Sequence, residues 1–235
     1  MSVNKVKQAL NKLADPVVAQ VTAQSFKIGK EYESSKKFLG LKVPAVREIC
    51  KQYRTLPLGE IEKLLASPIH EHRLAALIIM VEQAKKANPE SKKQLHDLYL
   101  RRIDEINNWE LVDVSCHYVL GGYLMDKPRD VLYELARSND AWRRRIAIVS
   151  TWQFIRSGQA DDTFAIAEIL LADTQPSVQK AVGWMLREAG KRVDEKALTG
   201  FLERHYQGMS RTTLRYAIER LSSVQKAHFM NKPGS

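Results

Sequence analysis

Cysteine is almost missing from this sequence: Cys50 and Cys116 are the two in 235 residues. Two distant cysteines make neither a disulfide framework nor a zinc site, and a reducing compartment suits them. Long apolar runs are missing too. No stretch of about 18 apolar residues occurs, and the opening MSVNKVKQAL has no apolar signal-peptide core. The expectation is a cytoplasmic protein with no membrane partner. Acidic residues fall short of basic ones, 27 against 37, giving a formal charge of +10 and a pI of about 9.6. That imbalance argues against a generic acidic enzyme and for a polyanionic partner. With 44% hydrophobic residues, the chain is no disordered basic tail.

Glycine (11) and proline (8) are also scarce, and they fall between periodic segments. Pro16, Pro44, Pro57, Pro68, Pro89, Pro128 and Pro176 each precede an apolar-periodic run, the place where a missing N–H costs nothing. Ile61, Leu64 and Leu65 form one apolar stripe; Leu74, Leu77, Ile78 and Val81 form another. The period predicts an all-α fold of roughly twelve helices with short connections. It predicts one domain over residues 1–225, with 226–235 a frayed tail.

SFKIGKEYESS, residues 25–35, breaks the pattern. Gly29 and Lys30 sit between short alternating arms. The segment reads as a small basic β-hairpin or as an irregular inter-helix loop. Lys27, Lys30 and Tyr32 are its candidate DNA contacts. His70 and His72 flank Glu71 but form no recognised ligand set, so neither metal nor cofactor is expected.

An internal repeat carries more information. RLAALIIM at Arg73, RIAIVSTW at Arg145, KAVGWMLR at Lys180 and RYAIERLS at Arg215 each open an apolar, alanine-containing run with a basic residue. Their spacing is about 35 residues, the first gap being twice that, as expected of a HEAT-like α-solenoid of about six helix pairs. In shared register these bases, with Arg187 on the face of Lys180, would line a concave groove that takes DNA phosphates. The alternative is that they only solvate helix starts. In the skipped repeat, WELVDVSCHYVL, Asp113 takes the slot of the base. Trp109 lies four residues before Asp113, and Trp184 four after Lys180. The tryptophans and the carboxylate converge on a cleft, or they are core residues and Asp113 merely pairs with Arg145. Trp152 reads as core.

NNWELVDVSCHYVLGGYL, NDAWRRRIAIVSTW, QKAVGWMLREAGK and FLGLKVPAVREI, with Leu39, Gly40 and Pro44, resemble the HEAT-like-repeat DNA alkylation-repair family. That family comprises the AlkD-like alkylpurine DNA glycosylases and their branched-DNA-binding relatives. The resemblance runs from about residue 10 to about residue 222. It implies an α-solenoid around duplex DNA, acting as a monomer, that excises cationic N3- and N7-alkylpurines by hydrolysing the N-glycosidic bond. By that resemblance Asp113 is the catalytic carboxylate, Trp109 and Trp184 flank the lesion, and Arg145 and Arg187 contact phosphates. The family's N-terminal aromatic has no clean counterpart; Tyr32 and Phe26 are the candidates. The insertion at 25–35 resembles the branched-DNA binders, which show little or no excision. Three classes therefore compete: glycosylase, binder of branched or distorted DNA, and protein-binding scaffold, the last disfavoured by the charge.

Overall fold

Proline sets several helix starts. In the computed structural model, which describes residues 1–26 and 38–231, α1 (Val3–Asn11) is followed by α2 (Pro16–Phe26) and α3 (Val43–Cys50). Next come α4 (Leu58–Leu65), α5 (His70–Ala84), α6 (Pro89–Arg101) and α7 (Trp109–Cys116). Then follow α8 (Asp130–Ala136), α9 (Ala141–Ser150), α10 (Trp152–Arg156), α11 (Asp161–Ile169) and α12 (Pro176–Arg192). The last are α13 (Glu195–His205), α14 (Arg211–Ala217) and α15 (Ser223–Met230). Helices α2, α6 and α12 begin on proline, whose locked φ fits the first turn. The described residues contain no strand, so the fold is all-α as expected. Ser25 and Phe26 close α2. The rest of the segment expected to form a hairpin, with Lys27, Lys30 and Tyr32, lies outside the described residues.

The chain divides into two compact units, Met1–Val119 and Leu120–Ser235. In the first, α5 is the hub and packs on α1, α3, α4, α6 and α7. In the second, α12 is the hub and packs on α9, α10, α11, α13 and α14. Neighbouring helices pair, as α4 with α5 and α8 with α9, and one helix of a pair touches its counterpart in the next, as α9 with α12 and α12 with α14. Such nearest-neighbour stacking is the packing rule of α-solenoids.

Every residue of α5 from His70 to Val81 is buried, although the helix opens His-Glu-His-Arg. Buried polar groups require partners, and each of the four has them. His70 Nε2 meets Glu110 Oε2 at 2.9 Å. Glu71 accepts from the backbone N–H groups of Leu39, Gly40 and Leu41 at 2.8, 2.8 and 3.2 Å. His72 lies 2.9 Å from Ser67 Oγ and 3.0 Å from Asn11 Oδ1. Arg73 Nη1 donates to the Glu105 carbonyl and to Asn107 Oδ1, both at 2.9 Å. The backbone that Glu71 holds needs glycine at position 40: its φ is +81°, and a Cβ there would stand 2.3 Å from the Asp15 carbonyl oxygen.

The DNA-facing role expected of Arg73 is therefore corrected: its side chain is 0% exposed. Arg145 is likewise buried and donates to the Ser177 carbonyl. Each arginine reaches a backbone carbonyl 32 residues further on, beside the start of the next repeat's helix. The shared register is real, but at these two positions it staples repeats together. The C-terminal expectation also changes. Residues 226–230 belong to α15, whose Ser222 and Gln225 form a capping box and whose Phe229 is buried. Residues 232–235 lie outside the described residues.

Candidate nucleic-acid interface

In the first unit, α7 presents the candidate acid. Asn108, itself buried, caps α7 by accepting from Glu110 N–H at 2.8 Å. Trp109 is the first helical residue and Asp113 comes one turn later, so both project from one helix face. The Trp109 indole is 47% exposed, which is unusual for tryptophan, and Asp113 is half-buried. The opposite face is anchored. Tyr99 of α6 meets Ser115 Oγ at 3.0 Å, and Ser115 Oγ donates to the Leu111 carbonyl at 2.6 Å. Burial, then the nearby Cys116 and Asp113, push the Tyr99 phenol well above its ordinary value, so Tyr99 stays neutral and serves as an anchor.

In the second unit, α12 presents the candidate phosphate and stacking groups. Lys180, Trp184 and Arg187 follow at helical spacing. Lys180 is exposed, and Trp184 is half-buried. Helix α12 comes this close to α14 because residue 183 is glycine: a Cβ there would stand 2.4 Å from the Thr213 carbonyl oxygen and 2.5 Å from Tyr216 Cβ. Arg215 and Tyr216 of α14 are exposed.

The core role expected of Trp152 is corrected. It is half-buried, its ring centroid lies 6.3 Å from that of Trp184, and the Arg192 guanidinium sits 4.7 Å from its own centroid. Arg192 is held by Glu188 at 2.9 Å, and Glu188 also accepts from Arg187 at 2.9 Å. Arg187 is further bound by Glu219. Burial opposes the Arg187 charge, but Glu188 and Glu219 outweigh it and raise its affinity for the proton. Burial likewise works against the Glu188 carboxylate, and Arg192 and Arg187 overcome it and lower its pKa. Glu188, Arg192 and Glu219 were not among the residues singled out in the sequence. The Glu188–Arg192 pair has a visible i,i+4 signature; Glu219 does not, because it comes from another repeat.

Among the described residues no cluster of three metal-ligating side chains occurs. A groove of about 560 Å³ opens between the 54–58 turn, the end of α5 and the start of α6, and none of the expected DNA-contacting residues lines it. No helix among the described residues is long and apolar enough to cross a membrane.

A family model described as DNA alkylation repair enzyme matches residues 6–221. A solved structure described as a predicted DNA alkylation repair enzyme from Enterococcus faecalis is similar at a TM-score of 0.69 and 17% identity, covering 89% of this chain and 97% of that one. At that identity the likeness speaks to the fold. No curated protein matches this chain.

Proposed function

The chain belongs to the DNA alkylation repair enzyme family, and from that membership we propose that it hydrolyses the N-glycosidic bond of cationic N3- and N7-alkylpurines in duplex DNA. One observation carries the reading: Asp113 and the 47%-exposed Trp109 share one face of an anchored helix, so a carboxylate and an indole reach solvent together.

The chemistry suits that pair. An N-alkylated purine already carries positive charge and leaves with the glycosidic electrons without a general acid. The bond to C1′ breaks, water adds to the sugar cation, and a proton is released. A fixed carboxylate stabilises the charge developing on the sugar. Indole faces attract the cationic nucleotide, by about 0.5–2 kcal/mol per contact. On the second unit, Trp184, backed by Trp152, offers an indole of its own, and Lys180, Arg187 and Arg215 offer cations for the DNA backbone. The decisive experiment is release of free 3-methyladenine or 7-methylguanine from methylated duplex DNA by the full chain. Time-dependent release supports excision; none at enzyme excess overturns it.

A second reading rests on SFKIGKEYESS, which interrupts the helical pattern with Lys27 and Lys30 around Gly29. In this reading the protein binds branched or distorted DNA, and the segment enters a site where stacking is already broken. Changing Lys27 and Lys30 to Ala then weakens junction binding about tenfold while linear duplex binding falls much less. Equal loss on both DNAs overturns it.

A further inference from the structure

Arg187 is the one candidate phosphate contact on α12 that already holds two carboxylates, and the two differ. Glu188 accepts from Arg187 Nε at 3.2 Å and Nη2 at 2.9 Å, and from Arg192 Nε at 2.9 Å. Its side chain is 9% exposed. Glu188 is thus fixed: releasing it would strand a buried anion and free the guanidinium that covers Trp152. Glu219 takes Arg187 Nη1 from the turn that follows α14, and it is 49% exposed. Its other neighbour, Arg220, is loosely placed at 4.0 Å. Water can therefore replace Arg187 around Glu219 at little cost, whereas the Arg187 side chain, 17% exposed, needs an anion throughout.

We propose that Glu219 is an internal phosphate mimic: it occupies the outward donor of Arg187, and DNA binds there by exchanging a backbone phosphate for this carboxylate. The inference rests on α12 being part of the DNA interface. A carboxylate and a phosphodiester offer the same guanidinium a singly charged oxygen acceptor. The exchange never leaves Arg187 bare. It does place Glu219 beside the arriving phosphate, and that repulsion weakens binding to ordinary duplex.

The test is fluorescence anisotropy of a labelled random-sequence duplex against the full chain over a series of KCl concentrations. Wild type, Glu219→Gln, Arg187→Gln and the double variant are compared. Glu219→Gln is expected to bind about fivefold more tightly at low salt. Its log–log salt slope should steepen by about 0.9, because one opposing charge has left the interface. In the Arg187→Gln background the gain should vanish, since the carboxylate acts through that guanidinium. A Glu219→Gln variant that binds equally or more weakly overturns the inference alone. So does a gain that persists undiminished without Arg187, which makes it a general charge effect. A wild type and Glu219→Gln variant that both bind no duplex at low salt overturn the interface reading and this inference together.

Discussion

Arg145 donates to the backbone carbonyl of Ser177, in the first turn of α12. A surface cation would face solvent; this one is buried and joins two repeats. Replacing it removes that bond between repeats and leaves a void where the aliphatic stem packed. Arg145→Ala should lower stability by about 2–4 kcal/mol, read from urea unfolding, and Arg73→Ala should do the same. Where the variants remain folded, the salt dependence of DNA binding should match the wild type. Unchanged stability with a slope one unit shallower would return Arg145 to the DNA-facing surface.

Much of this organisation was legible in the sequence. The period of about 35 residues identified repeats, and the i,i+4 spacing of Trp109 and Asp113 placed them on one helix face. The role of the repeated bases was not legible. A basic residue opening an apolar run serves equally as a groove cation or as an inter-repeat staple. The choice depends on where the next repeat's backbone lies, which is tertiary information. Arg73 and Arg145 meet a carbonyl, while Lys180 and Arg215 remain exposed. The buried opening of α5 was hidden for the same reason, since its partners come from Asn11, Leu39 and Glu110. The last helix was readable: Ser222 and Gln225, three apart, are a capping-box signature that the tail assignment overlooked.

Under the proposed function, Lys180 and Arg215 take the phosphate-facing role that the buried Arg73 and Arg145 lose. Both are exposed on the second unit. Lys180→Ala and Arg215→Ala should each reduce the log–log salt slope of duplex binding by about 0.9, with little effect on urea unfolding. An unchanged slope in both variants would move the phosphate track elsewhere.

Gly183 carries a packing prediction. A methyl group at this position meets the Thr213 carbonyl oxygen at 2.4 Å, and backbone cannot give way cheaply. The usual helical advantage of alanine over glycine, about 1 kcal/mol, is outweighed. Gly183→Ala should destabilise the protein by about 1–3 kcal/mol in chemical unfolding. A stabilised variant would show that α12 and α14 are not held at this separation.

His72 links stability to pH. Burial, reinforced by Lys7, lowers its pKa from 6.5 to about 4. Between those values the unfolded chain binds a proton that the folded chain refuses. The contribution is fully present above pH 6.5 and is lost as pH falls toward 4. Glutamine keeps a polar group between Ser67 and Asn11 but does not titrate. Urea midpoints measured across this window should fall for the wild type and fall distinctly less for His72→Gln. Parallel curves would mean that His72 does not set the slope.

In the proposed reaction, Asp113 is the group on which excision depends most directly. It is half-buried on a helix anchored through Tyr99 and Ser115, so Asp113→Asn should alter charge with little change in shape. The amide cannot match the full negative charge beside the sugar cation, and the loss is confined to the transition state. Single-turnover release of 3-methyladenine should drop by about 100-fold or more, the scale seen when one preorganised electrostatic group is removed. Duplex affinity should hold or rise, because an anion facing phosphate has gone. That split separates a catalytic carboxylate from a structural one: a structural Asp113 would lose binding and thermal stability along with activity. Excision at the wild-type rate by a folded Asp113→Asn protein would remove Asp113 from the chemistry and leave Trp109 as the α7 contribution to DNA binding.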